Sequence, residues 1–126
     1  MKAVRKQYFF RPSPRGLLAW DVERLVKLSQ DLPRKQVRIE DLGELDRPWS
    51  GDGDAHTWRE MIAHIKLVDA SDLSFPIILS AGGEVMDGRH RIAKAAMSGY
   101  DVIEAVQFDV DPPPDYIGRE PDELPY

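Results

Sequence analysis

The chain has 126 residues, which fits one ordinary domain and leaves no room for two. Its 17 basic and 22 acidic residues give a net charge of −5, which disfavours general binding to nucleic acid or to an anionic membrane. There is no cysteine, so disulfides, thiolate nucleophiles and cysteine-based zinc sites are excluded, and a cytoplasmic location is expected. No stretch approaches the ~20 apolar residues of a membrane helix, and no apolar run follows the basic start of the chain, so we expect neither a membrane span nor a signal peptide.

The first third of the chain predicts one helix and one strand. Residues 1–15 are aromatic and basic, which fits either a short strand or an arm that contacts a second copy in a homodimer. Apolar residues recur every three or four positions over 16–30, which predicts a helix that ends before Pro33 and places Trp20 in the core. The run 37–39 predicts a short strand.

A polar loop and a second helix follow. Residues 43–54 are loop formers without periodicity. Trp49 in this loop either closes over a base or packs on the core. Asp52-Gly53-Asp54 is interpreted as a turn, because the later ligands of a calcium loop are missing. Thr57 and Glu60 form a capping box. The helix behind it has an apolar stripe that we expect to face the core: Trp58, Met61, Ile62, Ile65 and Val68.

The last third predicts a hairpin, a helix and a strand. Two short apolar runs over 76–86 flank a Gly-Gly turn and predict a β-hairpin. Helical spacing then leads to Gly99 as a C-terminal cap. The next strand has one apolar face, predicted to contain Val102, Val106, Phe108 and Val110. Residues 111–126 are acidic and proline-rich, and we predict an extended tail after a domain over 1–110. The order of elements predicts an α/β (α+β) domain with a small mixed sheet.

The segment Asp87-Gly88-Arg89-His90-Arg91 is the candidate functional site. It places a tight turn between a strand and a helix start, where free amides and the helix dipole attract anions. Cations are unfavourable at a helix start, so their concentration here predicts a phosphate ligand bound by Gly88, Arg89, His90 and Arg91. Asp87 then either caps the helix, holds Mg²⁺ or accepts a proton. The alternative is an ordinary surface, with paired arginines and a core histidine.

The run from Pro76 to Gly99 resembles the ParB/sulfiredoxin-like superfamily, and the resemblance extends over about residues 36–110. It implies a single α/β domain that binds a nucleotide (ATP, ADP or CTP) at the 88–91 turn, with Mg²⁺ at Asp87. Sulfiredoxins have Gly-Gly-Cys-His-Arg at this turn, so Arg89 in place of cysteine excludes their chemistry. The Gly-x-x-Arg-x-x-Ala pattern of ParB is met only in part, because Lys94 takes the place of alanine. The turn is nearest to Asp-Gly-His-His-Arg of the ParB-related free serine kinases.

That branch implies phosphotransfer to a small hydroxyl substrate, with a loop glutamate as the base. Glu44 is the candidate, with Glu40 and Asp46 as rivals, although its position in a polar loop favours a solvated side chain. Two alternatives stay open: a ParB-like DNA-binding or nuclease protein, and a non-catalytic interaction module. His56, Glu60 and His64 have the spacing of a helical metal site, but they lie on the polar side of the helix and a solvated face is favoured.

Overall fold

The computed structural model describes residues 6–47 and 56–126, so Trp49 and the turn at 52–54 lie outside the described residues. Among these residues are three α-helices and two small sheets, which confirms the α+β class. The helices are α1 (Val22–Ser29), α2 (Trp58–Ala70) and α3 (Arg89–Met97). The strands are β1 (Tyr8–Arg11), β2 (Leu18–Asp21), β3 (Lys35–Arg38), β4 (Ile77–Leu79), β5 (Val85–Asp87), β6 (Val102–Gln107) and β7 (Tyr116–Ile117).

The mixed sheet has the order β3-β6-β4-β5, and both of its faces are covered. β6 runs parallel to β4 and antiparallel to β3, and β4 and β5 form the predicted hairpin. Successive residues of a strand face opposite sides, so β4 contributes to two cores. The core on the α3 side contains Ile39, Ile77, Leu79, Ile92, Ala95, Ile103 and Ala105. The core on the α1 side contains Trp20, Leu25, Ile78, Met86, Val106 and Phe108.

This two-sided burial overturns part of the face predicted for the last strand. Val102 is exposed and Val110, beyond the end of β6, is 81% exposed, whereas Ile103 and Ala105 are buried. A strand inside a sheet with both faces covered does not follow a simple alternation of apolar and polar residues. The pattern of one apolar face therefore identified the strand and the burial of Val106 and Phe108, but it was wrong for Val102 and Val110 and missed Ile103 and Ala105.

The helix predicted over 16–30 is shorter than its periodicity suggested. Leu18–Asp21 form strand β2, which pairs antiparallel with β1, and α1 begins only at Val22. The Asp21 side chain accepts a hydrogen bond from the Glu23 amide and caps the helix. Trp20 is buried as expected, but in a strand, where its indole Nε1 donates to the Pro112 carbonyl at 2.8 Å. Pairing with the neighbouring strand β1, which helical periodicity does not record, gives 18–21 its extended conformation.

The segment 111–126 packs along the second, three-stranded sheet, which contains β1 and β2. β7 pairs with β2 and gives the three-stranded order β1-β2-β7. Leu124 is only 5% exposed, and the Tyr8 hydroxyl donates to the Pro125 carbonyl. The aromatic N-terminal stretch is therefore a strand that contacts the C-terminal segment, and composition alone gave no sign of this contact.

Helix α2 begins as predicted, but most of its apolar stripe does not face a core. The Thr57 hydroxyl accepts a hydrogen bond from the Glu60 amide at 3.1 Å. Trp58 is 79% exposed, and of the stripe only Val68 is buried, so the expectation that Trp58 packs in the core is wrong. The helix contacts α3, so periodicity predicted the helix correctly but not the exposure of its apolar stripe. None of the helices in residues 6–47 and 56–126 has the length and apolarity that a membrane crossing requires.

Candidate functional site

The start of α3 lies at the end of the β4–β5 hairpin. Gly88 is the N-cap residue and has φ +115°, in the left-handed region that favours glycine. A Cβ atom at this position would lie 2.5 Å from Cγ2 of Ile77, so the glycine also lets the turn pack directly on β4. The backbone of Gly88 closes the first helical hydrogen bond by accepting from the Ile92 amide at 3.0 Å.

The first turn of α3 differs from those of α1 and α2. Asp21 and Thr57 cap the other two helices, and each has an acidic residue in its first turn. In the part of the chain that the structure describes, α3 has no side-chain cap and no acidic residue in its first turn. Its first three residues are Arg89, His90 and Arg91. Amides at a helix start carry partial positive charge, so the local field strongly favours an anion.

Glu44 lies against this turn, across 45 positions of sequence. It belongs to a short 3-10 turn over Glu44–Asp46 that follows Gly43, and its side chain is only 4% exposed. Its Oε1 accepts a hydrogen bond from Arg89 Nε at 3.3 Å and lies 3.6 Å from a terminal nitrogen of Arg47. The interpretation of Glu44 as a solvated loop residue is therefore wrong, because the polar loop folds back onto α3.

The rival carboxylates remain outside this contact. Glu40 is exposed and forms an ion pair with Arg38, and Asp46 is exposed. Of the three acidic residues considered in this segment, the structure places Glu44 beside the turn.

Asp87 and Arg91 form a partly buried ion pair within the turn. Arg91 Nη2 donates to Asp87 Oδ2 at 3.0 Å and to the Pro76 carbonyl at 3.2 Å. Arg91 Nε is buried and has no hydrogen-bond partner among the described residues. These contacts tie the start of α3 to the start of β4, so Arg91 positions the turn, and one oxygen of Asp87 is already engaged.

His90 connects the turn to helix α2. Its ring packs edge-on against the ring of His64 with centroids 5.2 Å apart. Burial lowers the pKa of His90 from its usual 6.5, and the nearby charges of His64 and Arg89 lower it further. A neutral imidazole is therefore favoured here near neutral pH, and an anion bound at the turn would favour the protonated form.

Lys94, the departure from the ParB pattern, has a structural role. Its Nζ donates to the Asp69 carbonyl at 2.7 Å and to the Ser71 carbonyl at 2.9 Å. These carbonyls lie at the C-terminus of α2, where a cation is favourable. The Ser71 hydroxyl also donates to the His90 carbonyl at 3.4 Å. Lys94 and Ser71 thus fix α2 to α3 next to the candidate site.

The described residues contain no group of three or more His, Asp or Glu that could hold a metal ion. His56 Nδ1 lies 2.8 Å from Glu60 Oε2, and His64 packs on His90, so the three residues considered as a helical metal site are not assembled into one. At the turn, Asp87 is the carboxylate considered for Mg²⁺. A single carboxylate fits Mg²⁺ only when phosphate oxygens and water complete the shell.

Sequence reasoning found the turn but missed three of its neighbours. Arg47, His64 and Ser71 are distant from it along the chain, and each reaches it through the packing of another element. Lys94, which the sequence analysis had noted, bonds to the C-terminal end of α2 beside the turn. No family model, curated protein or solved structure matches the chain.

Proposed function

We propose that this protein binds a nucleoside triphosphate or diphosphate with its phosphates on the first turn of α3. One observation carries the proposal: the first turn has three basic side chains, no acidic residue and no side-chain cap among the described residues. An anion would bond to the free amides and neutralise the cations at the positive end of the helix dipole. The resemblance of residues 87–91 to nucleotide-binding turns is what favours a nucleotide over other anions.

The local charge supports this proposal although the protein as a whole is acidic. Arg47, Arg89 and Arg91 meet two carboxylates, Glu44 and Asp87, and His90 adds a proton-dependent charge. Arg91 is held by Asp87 and by a backbone carbonyl, whereas the Arg89 side chain is half exposed. Arg89 can therefore turn its planar guanidinium to phosphate oxygens at the cost of one bond to Glu44.

The sharper form of the proposal is phosphoryl transfer to a small hydroxyl substrate, with Glu44 as the base. The hydroxyl oxygen would attack the terminal phosphorus, the bond to the bridging oxygen would break, and the nucleotide would leave one phosphate shorter. The hydroxyl proton would pass to the Glu44 carboxylate. Asp87 would position Arg91, and Mg²⁺, if bound by Asp87 and the phosphates, would neutralise phosphate charge. A cytoplasmic location, where nucleotides are abundant, belongs to the same proposal.

The first experiment compares thermal stability with and without ATP, ADP and CTP, each with and without Mg²⁺. A ligand at 100 times its dissociation constant stabilises the folded state by about 2.7 kcal/mol, a shift of several degrees for a domain of this size. We expect such a shift with at least one nucleotide, and a much smaller one in Arg89→Ala. Lys27→Ala, which removes an exposed cation from α1 on the other side of the sheet, is the matched control and should keep the shift.

The variant Glu44→Gln distinguishes nucleotide binding from phosphoryl transfer. This variant should still bind the nucleotide but lose transfer to hydroxyl acceptors, measured as phosphorylated product. A wild-type protein that shows no shift with any nucleotide would overturn the proposal. Salt-dependent binding to DNA would then favour the nucleic-acid alternative. If DNA does not bind either, the non-catalytic interaction module is favoured.

A further inference from the structure

A cleft of about 530 Å³ lies beside the C-terminal end of α3. Six of the nine residues that line it are apolar, aromatic or glycine: Ile39, Leu45, Ala96, Gly99, Tyr100 and Val102. The other three are Arg38, Glu40 and Asp101, and the first two of these form an ion pair with each other. The cleft therefore suits a largely apolar group with a polar edge better than it suits a highly charged one.

Two elements that line the cleft also contribute residues to the candidate phosphate site. Arg89 and Ala96 are seven residues apart in α3, so they lie on the same face of the helix, about 10 Å apart along its axis. On the other side, Leu45 of the cleft directly follows Glu44, whose carboxylate accepts from Arg89. One ligand could lie along this face of α3, with its charged end at Arg89 and its apolar end between Leu45 and Tyr100.

Tyr100 is placed to give the apolar end a flat surface. The helix ends in a Schellman motif, in which the Gly99 amide donates to the Ala96 carbonyl and the Tyr100 amide to the Ala95 carbonyl. These bonds fix the backbone of Tyr100, while its side chain remains 57% exposed. Leu45 is also exposed. An exposed aromatic side chain offers a flat face on which a nucleobase stacks.

We infer that this cleft binds the base of the nucleotide whose phosphates lie at the first turn of α3, with Tyr100 as the stacking residue. The inference rests on the proposed function, because it needs phosphates at Arg89 to fix one end of the ligand. It goes beyond that function by naming the subsite that holds the base and the residue on which the base stacks.

The test compares ATP with inorganic tripolyphosphate, which has the phosphates without the base, by isothermal titration calorimetry on the full chain. We expect ATP to bind at least tenfold more tightly. Tyr100→Ala should weaken ATP binding about tenfold, the lower range for loss of one stacking partner, and leave tripolyphosphate binding unchanged. Tyr100→Phe should keep the ATP affinity. Met97→Ala, at an exposed apolar position of α3 that does not line the cleft, is the matched control.

The outcomes separate the two proposals. If ATP and tripolyphosphate bind equally well, or if Tyr100→Ala weakens both alike, the base subsite is overturned and the phosphate site stands. If neither ligand binds the wild-type protein, the proposed function and the base subsite both fail. Retained tripolyphosphate binding by Tyr100→Ala also shows that this variant is folded.

Discussion

Gly88 is the residue that most directly couples the fold to the candidate site. Its φ of +115° costs about 1–2 kcal/mol for any other L residue, and a Cβ atom would overlap Ile77, which adds about 1–3 kcal/mol. We expect Gly88→Ala to lower the free energy of unfolding by the sum of both effects, measured by urea denaturation. Gly99→Ala is the matched control, because Gly99 has φ +82° but nothing within 4 Å of a Cβ atom, so only the backbone cost applies. Equal losses in the two variants would contradict the close packing of Gly88 on β4.

His90 gives the protein a pH dependence of stability with a definite sign. Its pKa is lowered in the folded state, chiefly by burial, so the unfolded chain binds more protons near the ordinary pKa of 6.5. This contribution to stability is complete above pH 6.5 and is lost as the pH falls toward the folded-state pKa. We expect the melting temperature to fall between pH 7 and pH 5, and to fall less in His90→Gln. An identical slope in that variant would show that His90 is as hydrated when folded as when unfolded.

Residue-level prediction from the sequence placed correctly the strand, glycine turn and helix start that contain residues 87–91, because neighbours in sequence are neighbours in space there. The residues 87–91 form one turn, so their shared chemistry was visible without a fold. Glu44 is different, because its loop composition indicates solvent, while its position against Arg89 depends on the packing of the 3-10 turn onto α3. Burial of a charged residue is decided by its tertiary partner, which a single sequence does not specify.

At the level of elements, the C-terminal segment offers the clearest test of how the elements pack. Leu124 is 5% exposed and Val110 is 81% exposed, although both lie near or within the proline-rich end of the chain. We expect Leu124→Ala to destabilise the protein by about 2–5 kcal/mol, as for a buried leucine. Val110→Ala should change stability by less than about 0.5 kcal/mol. Urea denaturation measures the stability of both variants. A Leu124→Ala protein as stable as wild type would mean that this segment does not pack on the three-stranded sheet in solution.

Elements were predictable where a local signal specifies them. The Thr57 cap begins α2, the Gly-Gly turn joins β4 to β5, and Gly99 ends α3. The wrong predictions share a cause. The strand conformation of β2 and β7 and the exposure of the apolar stripe of α2 depend on which other element packs beside them. Helical periodicity extended through 18–21 because a four-residue strand, with both Ala19 and Trp20 buried, is too short to show the alternation that would break the pattern.

For the whole molecule, the sequence predicted an α+β domain and a candidate anion site but not the second sheet. That sheet joins the two ends of the chain, β1 and β2 with β7, and such pairing has no local signature. The four-stranded mixed sheet does have a local signature in the sequence, because its hairpin and the helix that follows are consecutive in the chain. The candidate turn at 87–91 lies in this consecutive part, which is why the sequence located it. The fold was needed to show that Glu44, already a candidate, is buried against Arg89, and to reveal the cleft.

The most direct test of the phosphate site is a nuclear magnetic resonance titration of the ¹⁵N-labelled protein with ATP. If phosphates bind at the first turn of α3, the largest amide shifts will be those of Arg89, His90 and Arg91. The Glu23 amide at the start of α1, already bonded to the Asp21 carboxylate at 2.9 Å, will move little and serves as the internal control. Shifts that saturate elsewhere while the amides of residues 89–91 stay fixed, or no shifts at all, would contradict the site.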